Sequence, residues 1–283
     1  MSAVVENASP ETVAAVADLE ALLAPIEGEN PAGASLQYSG LHDEIREARR
    51  AEDNLAQGEW QYEMKVADFH QVLNLALPAL STQSKDLQVC AWLAESFVKL
   101  YGFPGLRDGL KLMRGLHEQF WDQLYPEIDE GDLEGRANSV AWMDRELADA
   151  IKEVPVTSAP GGVNYSYLKW EESKLFDIPE NLENLDSDKL ARMEEMRAQA
   201  LEEGRTTGED WRKAVNATKR AFYEETWRIL EECWAEFQAL DKVMDEKYER
   251  QTPGLGALKK SLDEVRTLVE KLLKEKRLLE PDP

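Results

Sequence analysis

Two cysteines in 283 residues, Cys90 and Cys233, are too few for a disulfide framework and too far apart for a CxxC metal clip. Basic residues are scarce as well: 33 lysines and arginines stand against 56 aspartates and glutamates, a formal net charge of −23. A surface that acidic repels phosphate backbones and anionic lipid, so neither nucleic-acid binding nor peripheral membrane attachment is expected. No run approaches the ~20 consecutive apolar residues of a membrane-spanning helix, and the N-terminal region lacks a basic stretch followed by an apolar core. Strand-like alternation never persists beyond about five residues. What is present is ample apolar content, 43%, and a charged fraction of 31%, above the ~25% of ordinary soluble domains. The chain reads as a soluble, cytosolic, acidic helical protein.

The helical periods can be followed along the chain. Ser9-Pro10-Glu11 is a helix start, with Val13, Val16, Leu19, Leu22 and Leu23 at helical spacing until Pro25. Residues 27–40 form a loop and residues 41–53 a mostly polar helix. Residues 67–80 are amphipathic, with Pro78 in the last turn, and Ser84 is placed to cap a helix over 85–101 that is apolar nearly all round. Helices over 106–124 and 133–153 complete this half, which carries 12 basic and 28 acidic residues through Val156. Pro155, Ser158, Pro160, Gly161 and Gly162 then break regular structure and mark a boundary. Residues 157–208 read as a linker, with an irregular aromatic stretch at 163–179 and a charged helix over 186–203. Residues 209–250 contain neither proline nor glycine and form one long helix or two. Its second part sets Trp227, Leu230, Trp234, Phe237, Met244 and Tyr248 on a 3-4 repeat that Asp241 interrupts. After Thr252-Pro253-Gly254, the line Leu255, Leu258, Leu262, Val265, Val269 and Leu272 is a heptad seam. The expected architecture is all-α: a multi-helix domain over 1–156, a linker over 157–208, and a long antiparallel helical hairpin over 209–283 that folds as a separate unit.

Catalytic and metal motifs are missing. His42, His70 and His117 have no partner at HxxxH or HExxH spacing, and the acidic run 129–134 lacks the order of a calcium loop. Neither a GxSxG elbow nor a phosphate-binding glycine loop occurs, and both cysteines lie in apolar helical surroundings, where thiols are inert. No enzyme activity, cofactor or metal is expected. One cluster stands out: Arg49 and Arg50 with Glu52 and Asp53, followed by Glu59 and Trp60. Adjacent arginines flanked by acids permit bidentate pairing, either inside the domain as a structural staple or outward to a partner carboxylate. The acidic excess favours pairing of both arginines within their own domain.

An ordered set of short motifs is also present. Leu22-Leu23-Ala24-Pro25-Ile26, Glu29-Asn30-Pro31-Ala32-Gly33, Glu47-Ala48-Arg49-Arg50 and Gln57-Gly58-Glu59-Trp60 come first. Ser84-Lys85-Asp86-Leu87, Trp92-Leu93, Phe120-Trp121-Asp122, Leu124-Tyr125-Pro126, Arg136-Ala137-Asn138 and Trp142 follow. Together, over residues 19–156, they resemble the ImpA-type N-terminal domain of TssA proteins of the bacterial type VI secretion system. The resemblance implies a non-enzymatic structural and assembly role at the baseplate and contractile tail sheath. It also implies a place on the cytoplasmic face of the inner membrane and partners among baseplate, tail tube or sheath components, with homo-oligomers allowed. A further ring-forming domain usual in such proteins is not recognised before Pro283. The competing reading is a soluble helical adaptor or chaperone acting through the Trp-rich hairpin.

Overall fold

The computed structural model of the chain describes residues 13–51, 65–178 and 186–281. The described residues form eleven α-helices and one short 3-10 turn, with isolated β-bridges and no strand, so the fold is all-α. The helix start expected at Ser9 lies outside the described residues.

Four helices open the chain: α1 (Leu19–Leu23), α2 (Leu41–Arg49), α3 (Phe69–Thr82) and α4 (Leu87–Tyr101). Asp18, Asp68 and Asp86 cap α1, α3 and α4 by accepting a first-turn N–H, as short acidic side chains do at N-caps. Asp86 therefore displaces Ser84 from the expected capping role. It accepts from the Val89 N–H at 2.9 Å, and α4 begins at Leu87. The Ser84 hydroxyl is left buried and finds no hydrogen-bond partner among the described residues.

Helix α4 is buried on nearly every side, because α3, α5 (Phe103–Phe120) and α6 (Glu134–Glu153) pack around it. Two glycines let α5 approach closely. A Cβ on Gly105 would lie 2.0 Å from the Phe97 carbonyl oxygen, and one on Gly109 would lie 2.8 Å from the Ala94 Cβ.

The Pro/Gly cluster does end regular structure, but it is a pinned loop rather than a loose linker. The Val156 N–H donates to the Tyr165 carbonyl, the Tyr165 N–H to Thr157 Oγ1 and the Ser158 N–H to Thr218 Oγ1, each at 2.8 Å. The stretch expected to be irregular holds α7 (Tyr167–Leu175), capped by Ser166. After α8 (Ser187–Glu202), which buries only Ala200, come α9 (Gly208–Ala217), α10 (Arg220–Tyr248) and α11 (Gly256–Leu279). The long run is thus two helices, and the break falls at Thr218, whose hydroxyl donates back to the Ala214 carbonyl at 2.7 Å.

Helices α10 and α11 form the antiparallel hairpin, and all six residues of the α11 seam are buried. On α10 the buried line runs through Leu230, Cys233, Phe237, Leu240, Met244 and Tyr248. Cys233 and Leu240 keep the repeat unbroken, and Asp241 lies beside the seam, not in it. Trp227 and Trp234 are only half-buried, with the Arg266 guanidinium 5.5 and 4.5 Å from their ring centres. Where independent folding of the hairpin was expected, α10 packs on α5 and α11 on α6, and the apolar side chains merge into one core.

Side-chain to backbone bonds join the starts of α6 and α11 to this docking. At the start of α6 the Asp132 carboxylate accepts the Glu134 N–H at 2.8 Å, and Gln251 from the α10–α11 turn accepts the neighbouring Leu133 N–H at 3.2 Å. The N-cap residue of α11, Leu255, offers no side-chain acceptor, and Asp144 of α6 accepts from the N–H groups of Ala257 and Leu258 at 3.2 and 2.8 Å.

Candidate functional site

Buried Ile45 seats α2 against α3 and brings Arg49, at the end of α2, over α4. There the Arg49 Nε donates to Glu95 Oε2 at 2.5 Å and its Nη2 to Glu95 Oε1 at 3.0 Å, a bidentate pair. The guanidinium lies 4.4 Å from the centre of the Trp142 ring of α6. Trp142 meets Trp92 edge-on at 6.5 Å, Trp92 meets His42 edge-on at 5.2 Å, and His42 Nε2 lies 3.1 Å from Asp86 Oδ2. One continuous set of contacts therefore joins α2, α4 and α6. Burial and the nearby Glu95 raise the carboxyl pKa of Glu146, with the charge of Arg49 opposing.

Arg50 sits differently. Its Nε lies 3.2 Å from Glu47 Oε2 on the exposed side of α2, and Lys65 also pairs with that carboxylate. Hydrogen bonds from Lys65 and Arg50 hold the Glu47 carboxyl below its usual range. Both arginines thus pair within the chain. Glu52, Asp53, Glu59 and Trp60 lie outside the described residues, and no geometry is assigned to them.

Three further buried polar groups lie outside the Arg49–Arg50 cluster. Arg136 donates to the carbonyls of Leu124 at 2.6 Å, Pro126 at 2.7 Å and Trp121, closing the C-terminal end of α5. Its guanidinium also covers the Trp121 ring at 4.9 Å. Lys85 donates to the carbonyls of Leu22 and Leu80, both at 2.7 Å, and burial pushes its pKa down to about 8. His117 Nδ1 lies 2.8 Å from the Met113 carbonyl, which can only accept. The proton is therefore on Nδ1, and Nε2 accepts from the Tyr248 hydroxyl at 2.8 Å. Burial pushes the His117 pKa down to about 4, with the Met113 bond opposing. A sequence signal existed for Lys85 and for Glu95, since each places a charge within or beside the most apolar segment and so demands a buried partner.

A cleft of about 470 Å³ opens beside His42 and Asp86, with Ser35, Gln37, Tyr125 and Asp129 among its lining. Among the described residues no group of three or more His, Cys, Asp and Glu side chains could hold a metal ion. Burial pushes the thiols of Cys90 and Cys233 well above the range in which they ionise. The arrangement uses its charges to fix helices against one another. What it offers chemically is a rigid scaffold with an acidic exterior.

Residues 23–145 match the family model described as the N-terminal region of ImpA, type VI secretion system. The chain is 34% identical over 115 residues to the type VI secretion system component TssA1 of Pseudomonas aeruginosa, a match covering 41% of this chain and 33% of that protein. It thus spans about a third of the length of that curated relative. Its fold matches the solved N-terminal domain, including the conserved ImpA region, of the TssA component from Burkholderia cenocepacia. That match has a TM-score of 0.76 and 27% identity, over 92% of this chain and 94% of the other.

Proposed function

The chain belongs to the TssA family of type VI secretion components, and from that premise we propose that it is a non-enzymatic assembly component of the secretion apparatus. The supporting observation is the extent of the structural likeness: it runs through the hairpin as well as the family-matched segment, over 92% of the chain. The internal pairing of Arg49, Glu95 and Trp142 agrees with this reading. Motif residues that fix helices leave recognition to the outer surface, as expected of a docking module. Its partners on this reading are baseplate, tail tube or sheath proteins, and it acts at the cytoplasmic face of the inner membrane. No described helix is long and apolar enough to cross a membrane.

Co-elution tests it directly. The full chain, mixed with purified baseplate and sheath proteins of the same bacterium, should shift to a larger species with at least one of them. Light scattering on the same column reports any self-association. Deleting the gene should abolish sheath assembly seen by fluorescence. Normal sheath assembly in the deletion strain, with no shift for any apparatus protein, would reject the proposal.

A further inference from the structure

Among the described residues only two non-glycine residues have a positive φ, Glu130 at 47° and Glu249 at 49°. They lie on the two sides of one contact, where the α5–α6 loop meets the α10–α11 turn. Glu130 and Gly131, φ 86°, are the central pair of a turn that the Asp132 N–H closes on the Asp129 carbonyl at 2.7 Å. Two positive φ values in succession mark a type I′ turn, whose first central position favours Asn, Asp or Gly. Glu249 follows the last residue of α10, and its ψ of −114° gives it the dihedrals of the first central residue of a type II′ turn. Glycine is the usual occupant there, because a Cβ crowds the neighbouring backbone. Gly254 and Gly256 stand a few residues further on, yet glutamate holds the strained position.

Such a conformation persists only where its surroundings over-determine it. Three contacts do so here. Tyr248, just before Glu249, is buried, and its hydroxyl donates to His117 Nε2 at 2.8 Å. Thr252 Oγ1 donates to the Glu249 carbonyl at 2.6 Å. Gln251 ties the two strained turns together: its Nε2 donates to the Gly131 carbonyl and its Oε1 accepts the Leu133 N–H, both at 3.2 Å. These are neutral bonds made by an exposed side chain, so this tie is the weakest of the three. A cleft of about 410 Å³ borders the contact, with Trp121, Ile128, Leu133 and Tyr248 in its lining.

We propose that this contact is a sprung latch: docking of the α10–α11 turn strains Glu249, the Gln251 clasp holds the strain, and opening of the clasp releases it. The turn end of the hairpin is then the first part of its seam with α5 and α6 to open, while the apolar core behind it stays closed. Opening frees the Leu133 N–H and bares more of Leu133 and Trp121. The stored strain lowers the cost of that motion, as a moving element of a fold requires.

Glu249→Gly removes the strain and Gln251→Ala removes the clasp, so the two are compared singly and together in the full chain. Glu249→Gly should raise the melting temperature by about 2–4 °C, even though glycine adds freedom to the unfolded chain. It should also slow hydrogen exchange of the Leu133 amide by about five-fold or more, because opening no longer releases strain. Glu249→Ala loses the same carboxylate but keeps a Cβ, and should do neither. With Gln251→Ala the turn is already relaxed, so adding Glu249→Gly should bring no gain. An unchanged or lower melting temperature for Glu249→Gly would mean that the turn stores no strain. A gain for Glu249→Ala equal to that for glycine would assign the effect to charge. An equal gain with and without Gln251 would confine the strain to the turn itself, and exchange of Leu133 only through global unfolding would mean that the latch never opens. Any of these four results overturns the proposal.

Discussion

At the residue scale, Arg49 and Arg50 are chemically alike and energetically different. Arg49 neutralises a buried carboxylate, and its removal strands Glu95 among apolar helices. Arg49→Ala should cost about 3–5 kcal/mol, since an uncompensated buried charge is what remains. Arg50 and Glu47 are both more than half exposed, and Arg50→Ala should cost about 0–1 kcal/mol. Urea denaturation of the two variants checks the contrast, and equal losses would place Arg49 at the surface. His117 supplies a pH dependence. Its neutral form is held by burial, with a folded pKa of about 4 against an ordinary 6.5, so between these values the unfolded chain binds the extra proton. Stability from this group is complete above pH 6.5 and is lost as pH falls toward 4, by about 3 kcal/mol in all. Carboxylates titrate nearby, so the measurement is a difference. The loss on moving from pH 7 to pH 4.5 should be smaller in His117→Gln than in the unmodified chain.

At the element scale, capping is shared between helices that are distant in sequence. Asp144 is more than a hundred residues from the amides it accepts, and burial raises its pKa despite those two bonds. Asp144→Ala should cost about 1–2 kcal/mol, as loss of a good N-cap does. Gln251→Ala should cost less, because a neutral acceptor at 3.2 Å is lost, and thermal melts of both variants test the order. Gly105→Ala should be strongly damaging for a single methyl, since its Cβ would meet the Phe97 backbone oxygen. These features also mark how far sequence carries. Periodicity revealed the α3, α4, α5 and α11 faces, because apolar spacing is a local property, and the adjacent arginines pointed to pairing. It could not reveal that Glu95 and Trp142 receive Arg49, that Asp144 caps α11, or that Arg136 closes α5. Those contacts follow from three-dimensional neighbours. The aromatic stretch at 163–179 was misleading for a related reason: α7 gains its stability from packing on α6 and α9 rather than from a strong helical pattern of its own.

At the scale of the whole molecule, the question is whether the hairpin is an appendage or half of a core. Leu230, Phe237, Leu240, Met244 and Tyr248 of α10 are buried, and so is the whole α11 seam. In a detached hairpin α10 and α11 would still shield each other, but the side chains they turn toward α5 and α6 would return to water. Burial of each such side chain contributes about 1.5–3 kcal/mol. A handful on each side therefore sums to the order of the entire net stability of a domain, about 5–15 kcal/mol. The polar links point the same way: His117 would lose Tyr248, Arg107 would lose Glu232, and the Leu133 N–H ahead of α6 would lose Gln251. Residues 1–156, expressed alone, should therefore melt at least ten degrees below the full chain or bind a hydrophobic dye as a loosened helical state. Mixed with residues 157–283, the same fragment should form a one-to-one complex that regains most of the lost melting temperature, because the interface buries a core rather than a surface patch. Calorimetry and size-exclusion chromatography on the two fragments decide it. A fragment of residues 1–156 that melts cooperatively within a few degrees of the full chain, and ignores its complement, would restore the hairpin to the separate unit that the proline and glycine cluster first suggested.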